Sequence, residues 1–534
     1  MRDRHVWVRK HAGVKLVIVH SHYRPGGVRR IIELALPALV RALQPRVTAV
    51  VLVGGEEPAA RWLAALRTRL AGVPLTCAIE RAAGYASEVS ARPPALAARI
   101  RTLLARVLHD ASPSNCIVWA HNLGLGRNLL LARELTRCCV ARRLPLVSHH
   151  HDWWFDNRWQ RWPEMRRAGF RSLAAVAATI FPTAPTVRHA AINRFDGRIL
   201  ARHFGAQAGW VPNLGGPPSA PPATQLRQTR RWLRDQLGET APVWLVPCRL
   251  LRRKNLAEAL LLTRWLRPEA WLVTTGGASS ADEAAYAAAL GDAARRHGWR
   301  MRLGLLAGGE TGKPSVPALL AISETVLLTS LQEGFGLPNL EAAAAGRPLI
   351  VRALPNIAPD LALFGYRFPQ SYDELLVAPE LFDARAEHRR QTQRWQAWRR
   401  QLPRSCRSLA DTPPWLTAGA RTRPVPFSRL TLLAQLEVLA HPAEQSWAVC
   451  APLNPGLGRW RRLAAAGRLA VSNQPRDAAR WLGERAYARH FSALLHARPA
   501  EALSPAAGGE AAAEFFRAKL AGANQYPLLW SRTP

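Results

Sequence analysis

The stretch that most constrains the fold is residues 323–351, where a strand, a glycine loop, a helix and a second strand follow one another. Residues 323–331 have the apolar pattern of a short buried strand, and Glu333-Gly-Phe-Gly-Leu-Pro-Asn-Leu-Glu341 comes directly after it. The proline of this motif suits the first turn of a helix, where its missing N–H costs nothing. Residues 346–351 then have the pattern of another strand. This order is typical of a βαβ unit, so we expect a parallel sheet.

Strands alternate with helices along most of the chain, in two series. We predict strands over residues 14–20, 47–53, 117–122 and 144–152, and in the second series over residues 243–247, 270–275, 301–306, 326–328 and 349–351. Such alternation predicts an α/β protein with two Rossmann-like, doubly wound parallel sheets.

Composition marks the expected domain boundaries. We predict a first Rossmann-like domain over residues 1–212, a Pro/Gly-rich linker over 213–223 and a second Rossmann-like domain over 224–366. After residue 366 the alternation degrades, so residues 367–534 are expected to be a mostly helical extension that packs back on the other domains. Its expected packing residues are Phe515, Phe516, Leu520 and residues 528–530.

The seven cysteines and the N-terminus indicate a reducing, cytoplasmic setting. The cysteines are scattered and odd in number, and no Cys-x-x-Cys pair occurs, so neither a zinc site nor a disulfide framework is predicted. Residues 1–5 lack the apolar core of a signal peptide, and no run of 18 apolar residues occurs.

The net charge of +36 suggests nucleic acid or an anionic membrane surface as a partner. Only five of the 73 basic residues are lysines, and the arginines are spread along the whole chain without a long basic block. This skew is typical of GC-rich coding. We therefore expect no dedicated binding of nucleic acid, whereas peripheral contact with the inner face of the membrane stays open.

The segment from Glu333 to Glu341 indicates a nucleotide-sugar site. A glycine turn that leads into a helix N-terminus offers free backbone N–H groups and a positive dipole end to a phosphate. Glu341, expected in the first helical turn, can accept hydrogen bonds from sugar hydroxyls, as can Glu333. The alternative is a capped helix start without a ligand, because an acidic residue there is favourable in any helix.

Together, the two α/β halves, the linker and the Glu-x7-Glu loop resemble the GT-B fold retaining glycosyltransferases of family 4 (glycosyl transferases group 1), over residues 14–365. The resemblance implies two domains that face a cleft. It implies that Glu333 contacts the transferred sugar, that the backbone of Gly334, Phe335, Gly336 and Leu337 lines the sugar and diphosphate, and that Glu341 holds the ribose hydroxyls.

The same resemblance assigns a pair of cations to the diphosphate. Residues 248–255, Cys-Arg-Leu-Leu-Arg-Arg-Lys-Asn, make Arg249 and Lys254 the candidates. A leaving diphosphate gains negative charge, and fixed cations stabilise it in the transition state. A solvated basic helix start would give the same pattern of residues.

In the first half, the resemblance extends to a glycine loop and to polar strand ends. Gly26 and Gly27 match the family loop near the acceptor and the diphosphate, and His151 matches a catalytic histidine that faces the reacting sugar. His121 and Asn122, at another strand end, are expected to touch acceptor or donor, although a core histidine is an equal interpretation of His121.

The triple histidine of residues 149–151 also suggests a metal. Alternation along a strand puts His149 and His151 on one face and His150 on the other, so at most two of the three can share an ion. No Asp-x-Asp pair occurs in the sequence. We expect no metal and no other cofactor.

The aromatic segment that begins Trp153-Trp-Phe-Asp-Asn-Arg-Trp159 and continues to Trp162 has two interpretations. Tryptophan rings stack on sugar faces, so this arm could meet a carbohydrate acceptor. Alternatively, it forms a packed or lipid-facing aromatic cluster.

The resemblance implies a metal-independent enzyme that moves a hexose from a nucleoside diphosphate sugar to a hydroxyl acceptor. A polysaccharide, a lipid-linked glycan and a small solute such as a glycosylated glycerate all stay open as acceptor or product. Two rival interpretations also stay open: a glycoside phosphorylase of related fold, and a non-catalytic basic scaffold that binds nucleic acid or membrane.

Overall fold

The computed structural model describes residues 13–215, 220–278, 280–308, 312–417, 423–472, 474–498 and 502–530. The chain forms two units. Unit 1 comprises residues 1–214 and 479–516, and unit 2 comprises residues 215–478 and 517–534. Residues 216–219 of the predicted linker lie outside the described residues.

Unit 1 is built on a seven-stranded parallel sheet in the order β3-β2-β1-β4-β5-β6-β7. Its strands are β1 (Val14–Val19), β2 (Val47–Gly54), β3 (Leu75–Ile79), β4 (Cys116–His121), β5 (Leu146–His150), β6 (Val187–Ala191) and β7 (Ala208–Trp210). Its first seven helices are α1 (Gly27–Ala42), α2 (Ala60–Arg69), α3 (Pro93–Val107), α4 (Leu129–Ala141), α5 (Trp162–Arg167), α6 (Leu173–Ile180) and α7 (Arg194–Phe204).

Unit 2 repeats this topology in a six-stranded sheet with the order β10-β9-β8-β11-β12-β13, and adds a two-stranded antiparallel ribbon of β14 and β15. Its strands are β8 (Val243–Val246), β9 (Trp271–Thr274), β10 (Met301–Arg302), β11 (Thr325–Leu328), β12 (Leu349–Arg352), β13 (Gln370–Tyr372), β14 (Leu376–Val377) and β15 (Val425–Pro426).

The helices of unit 2 that precede residue 479 lie on both sides of the ribbon's first strand along the chain. They are α8 (Ala223–Leu237), α9 (Leu256–Leu266), α10 (Ala281–Arg296), α11 (Val316–Ile322), α12 (Leu337–Ala344), α13 (Ala358–Leu363), α14 (Ala384–Gln401), α15 (Leu432–Ala440), α16 (Ala443–Cys450) and α17 (Pro455–Ala465). The last helices of the chain are α18 (Ala479–Leu482), α19 (Glu484–His496), α20 (Ala507–Leu520) and α21 (Pro527–Trp530).

The predicted fold class of two Rossmann-like parallel-sheet domains followed by a mostly helical region is confirmed. In each sheet the chain runs outward from a central strand and then returns to its other side, which is the doubly wound order. β12 is buried along its whole length and β1 at every residue except half-buried Lys15, as the β-branched runs at residues 14–19 and 349–351 require. All seven cysteines are free thiols.

The extension is shared between the two units. Residues 479–516 belong to unit 1, where Tyr487 and Phe491 of α19 lie against Trp119 of β4. Residues 367–478 and 517–534 belong to unit 2. The predicted packing residues Phe515, Phe516, Leu520, Leu528 and Trp530 are all buried.

The aromatic arm is a packed cluster. Trp153, Trp154, Phe155 and Trp159 are each at most 1% exposed, so the interpretation as a sugar-stacking surface is wrong for these four side chains. Phe515 covers them from α20, with ring centroids 5.0 Å from Trp153 and 5.4 Å from Phe155. The arm therefore completes the core of unit 1 together with the extension.

No helix among the described residues has both the length and the apolar character that crossing a membrane requires.

Replacing Phe515 by alanine should destabilise unit 1 by about 3–5 kcal/mol, because it removes a fully buried ring and leaves a cavity among aromatic neighbours. Denaturant unfolding of the full chain, followed by tryptophan fluorescence, measures this loss. The control is Leu433→Ala, whose side chain is 45% exposed in unit 2 and which should cost at most about 0.5 kcal/mol. Equal unfolding midpoints for the two variants would contradict the assigned packing.

Candidate functional site

The predicted donor residues of unit 2 lie at the point where its strand order reverses. β8 and β11 are neighbours in the sheet, although about eighty residues separate them in the chain. In open parallel sheets, ligands bind outside the carboxyl ends of the strands at such a switch point. The segment that follows β8 carries Arg249 and Lys254, and the segment that follows β11 carries the loop from Glu333 to Gly336. The fold thus brings the two predicted motifs to one edge of the sheet.

Glu333 is the centre of a cluster of charges at this edge. One carboxylate oxygen, Oε1, accepts hydrogen bonds from Nζ of Lys254 and from Oγ of Ser330, the latter at 2.7 Å. The other, Oε2, accepts from Nη1 of Arg253 at 3.0 Å. The backbone carbonyl of Glu333 accepts from Nδ2 of Asn356 at 2.7 Å. The carboxylate is therefore fixed from three directions before any ligand binds.

These contacts determine the protonation state of Glu333. Burial by itself would raise the pKa of this carboxyl, but the charges of Lys254 and Arg253 and the hydrogen bonds of Lys254 and Ser330 hold it at about 2. Glu333 is consequently an anion throughout the physiological range, and it can act only as a hydrogen-bond acceptor there.

Arg253 is a residue that sequence reasoning missed. Sequence reasoning selected Arg249 as the partner of Lys254, but the Arg249 side chain is exposed, whereas Arg253 pairs with Glu333. Nη1 of Arg253 also donates to the backbone carbonyl of Gln332 at 2.7 Å. The backbone carbonyl of Arg253 accepts from the N–H of Leu331, also at 2.7 Å. The sequence did contain a signal for Arg253, because it forms a basic pair with Lys254 directly before Asn255. Both members of this pair contact Glu333.

Lys254 is positioned by a turn that depends on Asn255. Asn255 has φ of 49° and is fully buried, and the carbonyl of Lys254 accepts from Oγ1 of Thr329 at 2.9 Å. Nδ2 of Asn255 donates to Glu258 at 2.9 Å, and its Oδ1 accepts from Gln435 of α15 at 3.2 Å. A residue of the extension thereby supports the turn that carries the lysine.

The glycine loop ends where α12 begins. Gly336 precedes the helix with φ of 81°, and a Cβ at this position would lie 2.5 Å from Nδ2 of Asn339, so glycine is required on both counts. Pro338 lies in the first turn, as predicted. The helix starts at Leu337, however, so the expectation that Glu341 lies in the first turn is wrong. Glu341 is the fifth helical residue.

The loop residues between the two glutamates differ in exposure. Phe335 is buried with its ring 6.2 Å from that of Phe364, whereas Gly334 and Leu337 are half-buried. The aromatic ring thus anchors the loop in the core of unit 2 together with buried Gly336, while Gly334 and Leu337 stay partly accessible for a ligand.

Unit 1 gathers its predicted residues at its own switch point, between β1 and β4. His121 is the last residue of β4, and its Nδ1 lies 2.9 Å from Nε2 of His151, which follows β5. Asn122 has φ of 58°, and its Oδ1 accepts from the backbone N–H groups of His151 at 2.8 Å and of Asp152 at 3.0 Å. The structure therefore unites three of the residues predicted for this half.

Gly26 and Gly27 follow β1 at the start of α1. Gly26 is the N-cap, its carbonyl accepts from the N–H of Arg30 at 3.0 Å, and Gly27 is the first helical residue. Both glycines are exposed, and a Cβ on Gly27 would meet nothing within 4 Å. This open backbone fits the predicted loop near a ligand.

The buried histidines at this edge, His121, His149 and His151, are uncharged at neutral pH. Burial, followed by the neighbouring histidines, holds the pKa of His121 and of His151 well below the usual value, and burial lowers that of His149 to about 3. As predicted, His149 and His151 share one face, while His150 is on the other face, with Nε2 3.2 Å from Nδ1 of His189.

His121 joins His149 and His151 on that shared face, and one ring nitrogen from each lies within 4.8 Å of the others. Sequence alternation along one strand could not show this third imidazole, because it comes from the neighbouring strand. The donor set is nevertheless partly committed: Nδ1 of His149 accepts from Nε1 of Trp119 at 3.3 Å, and His121 and His151 are bonded to each other.

The charge state of Glu333 makes a prediction about acid unfolding. Because its folded pKa of about 2 lies below the 4.5 of a glutamate in an unfolded chain, its stabilisation is fully present above pH 4.5 and is lost as the pH falls towards 2. Wild type should therefore lose about 3 kcal/mol more than Glu333→Gln over this range, at about 1.36 kcal/mol per pKa unit.

Denaturant unfolding at several pH values between 2 and 5 measures this difference. Glu269→Gln, which removes a half-exposed carboxylate from the same unit, is the matched control and should follow wild type. Parallel stability curves for wild type and Glu333→Gln would show that the carboxylate is not held as an anion by its neighbours.

Comparisons with known proteins found a family match over part of unit 2 and relatives of low identity. The family model described as "Glycosyl transferases group 1" matches residues 233–362. A curated relative, the mannosylglucosyl-3-phosphoglycerate synthase of Petrotoga mobilis, is 24% identical over 267 residues, which cover 47% of this chain and 49% of the relative. The chain thus spans about half the length of the curated relative that it matches.

Solved structures that resemble the chain have low overall similarity. Anabaena Alr3699/HepE in complex with UDP and glucose aligns with a TM-score of 0.43 and 18% identity, over 65% of this chain and 82% of that one. The α,α-trehalose 6-phosphate synthase of Burkholderia multivorans aligns with a TM-score of 0.46 and 14% identity, over 90% and 98%.

The matched segment of the family model contains Lys254, the Glu333 loop and the whole of α12. The sequence resemblance to the glycosyl transferases group 1 is thus supported where its motif is most specific, because the family model matches residues 233–362.

Proposed function

We propose that this chain is a retaining glycosyltransferase that moves a hexosyl group from a nucleoside diphosphate sugar to a hydroxyl acceptor. The observation that carries the proposal is the Glu333 cluster: an anionic hydrogen-bond acceptor and two cations beside a glycine loop and a helix N-terminus. Its place at the strand-order switch point of a group 1 domain supports the assignment of this edge to the donor.

The contacts suggest how the donor is held. The ammonium group of Lys254 has three N–H bonds, and among the described residues one of them donates to Glu333, which leaves others for a diphosphate oxygen. Exposed Arg249 can approach the same group from the solvent side. In this arrangement the Glu333 carboxylate accepts hydrogen bonds from the hydroxyls of the transferred sugar, and Glu341 accepts them from the hydroxyls of the ribose.

In the proposed reaction, the bond between the anomeric carbon and the diphosphate oxygen breaks, and a bond to the acceptor oxygen forms on the same face of the sugar. The acceptor proton passes to the departing phosphate oxygen. Negative charge grows on the diphosphate during this step, and preorganised cations stabilise it more strongly than they stabilise the bound donor. Lys254 is the catalytic cation of the proposal.

We assign the acceptor to unit 1, whose His121, Asn122 and His151 lie at the carboxyl ends of β4 and β5. Neutral imidazoles there can donate or accept hydrogen bonds to hydroxyl groups without introducing charge. Three classes of acceptor or product stay open: a polysaccharide, a lipid-linked glycan and a small solute. The name of the curated relative favours the small solute, and an acidic one.

We propose the cytoplasm as the location, and the net charge of +36 favours contact with an anionic membrane face.

Release of nucleoside diphosphate from a panel of UDP-, GDP- and ADP-sugars tests the function. We expect slow hydrolysis of one donor by wild type, and a loss of about 100-fold or more in Lys254→Ala, since the leaving group then lacks its fixed cation. Arg231→Ala, which removes an exposed arginine from α8 of the same unit, is the control and should retain full activity.

Outcomes of the same assay separate the rival functions. A phosphorylase would need inorganic phosphate and no nucleotide. A basic scaffold would turn over no donor and would bind polyanions with a steep dependence on salt. Full activity in Lys254→Ala, Glu333→Ala and His151→Ala would overturn the assignment of the site.

We further propose that transfer needs no metal, because Lys254 and Arg253 supply the charge that a divalent ion supplies in Asp-x-Asp enzymes. Donor turnover should then be unchanged within about twofold by a chelator or by added Mg²⁺ or Zn²⁺. The His121–His149–His151 group makes Zn²⁺ the informative ion, since imidazole is a favoured ligand of zinc. Activity lost in chelator and restored by one of these ions would refute metal independence.

A further inference from the structure

Unit 1 contains a cluster of three arginines that the proposed mechanism does not use. Arg127 lies in the loop between β4 and α4, and Arg158 and Arg161 lie between β5 and α5. Gly126 holds this loop against α5, since a Cβ at that position would lie 2.3 Å from Cε of Met165. The three arginines therefore share the edge of the sheet that carries Asn122 and His151.

Arg161 is the buried member of this cluster. It is 6% exposed, and within the described part of the chain its Nε has no hydrogen-bond partner. Its Nη1 donates to Glu164 at 3.4 Å, a distance well above the 2.7–2.9 Å that is usual between a guanidinium and a carboxylate. A buried guanidinium with an unused donor is costly unless a ligand completes its hydrogen bonds.

The cluster carries more positive than negative charge. Arg158 donates to the carbonyl of Trp153 at 2.8 Å and to Asp152 at 3.4 Å, and the guanidinium carbon of Arg127 lies 4.8 Å from the centre of the Tyr85 ring. Burial, followed by the charges of Arg127 and Arg158, lowers the pKa of Arg161 to about 9. Three guanidinium groups thus share the carboxylates of Asp152 and Glu164, each 3.4 Å from its arginine, and Glu88 adds a weaker favourable charge to Arg127.

Space for a ligand lies beside the cluster. Tyr85, which Arg127 covers, lines a pocket of about 170 Å³ together with Ser21, Arg81 and Glu88. The Tyr85 hydroxyl also lies 2.9 Å from Nε2 of His22, which is in the loop that follows β1. Arg24 borders the same pocket, but Glu56 and Glu88 already pair with it, at 2.8 and 3.0 Å. Near this pocket, Arg127, Arg158 and Arg161 therefore carry one more positive charge than the carboxylates of Asp152 and Glu164 balance.

We propose that Arg127, Arg158 and Arg161 bind a phosphate group of the acceptor, so that the acceptor is a phosphorylated hydroxyl compound. A guanidinium group presents paired N–H donors that match phosphate oxygens, and the excess positive charge of the cluster attracts an anion. The identity of the ligand as an acceptor rests on the proposed function, whereas the phosphate site can be tested without any donor.

Calorimetric titration of the full chain with inorganic phosphate tests the site directly. We expect saturable binding to wild type, weakened about tenfold or more by Arg161→Gln, because one charge-assisted set of hydrogen bonds is lost. Arg166→Gln removes an exposed arginine from α5, the helix that follows Arg161, and should bind phosphate as wild type does. As a control for ionic strength, a titration with NaCl at the same ionic strength should give no saturable binding.

A second variant covers failure of the first to fold. Arg127 is half-buried, so Arg127→Gln should remain folded and should weaken phosphate binding in the same direction. Phosphate binding by Arg161→Gln and Arg127→Gln that is as tight as in wild type would overturn the proposal.

Acceptor pairs then connect the site with transfer. With the donor identified by the panel, glucose 6-phosphate is compared with glucose, and 3-phosphoglycerate with glycerate. The proposal expects the phosphorylated member of a pair to be used, with a KM raised in Arg161→Gln and unchanged in Arg166→Gln. Preference for the unphosphorylated member overturns it. A different outcome is that the chain turns over no donor but still binds phosphate, and that Arg161→Gln weakens this binding. This result would refute the proposed function but would support the phosphate site.

Discussion

The buried ion pair of Glu258 and Arg352 is the interaction on which the donor edge of unit 2 depends. Glu258 is fully buried at the start of α9, and its carboxylate accepts from Arg352 at the end of β12, from Tyr372 of β13 and from Asn255. Arg352 also reaches Glu374 at 2.5 Å, which Ser428 of the extension contacts at 2.6 Å. Removal of one partner would leave a buried charge uncompensated, which typically costs about 3–5 kcal/mol. The turn that presents Lys254 is therefore anchored in the core of the sheet and in the extension at once.

Much of the fold and part of the site follow from short-range patterns. Strands with β-branched runs, such as β1 and β12, were predictable because both of their faces are buried. The strands that were missed, among them β3, β6 and β7, are short or carry polar residues; β6 is Val-Arg-His-Ala-Ala. Their strand state comes from pairing with neighbours in the sheet, which no local pattern records. The resemblance likewise located Glu333 and Lys254, because the motif around each is local.

What could not be predicted arises where distant segments meet. Arg253 and Arg249 are both basic neighbours of Lys254, and only the path of the turn at Asn255 decides which of them faces Glu333. His121 joins His149 and His151 because β4 and β5 pair with His121 opposite His149. The sequence allowed two interpretations of the aromatic arm, because the side chains that bury it, Phe515 and Phe516, lie more than 350 residues further along the chain. In each case the deciding contact is tertiary.

The division of the extension between the units has a consequence for the order in which the chain can fold during its synthesis. Domains generally fold as they leave the ribosome, starting from the N-terminus. The sheet of unit 1 is complete by residue 210, yet Tyr487, Phe491 and Phe515, which cover its core, are translated only after nearly all of unit 2. A nascent first half would thus expose Trp119 and the aromatic arm until residues 487–516 have been translated. Unit 2 likewise waits for residues 517–530, so the cores of both units close only after the segment 487–530 has been made.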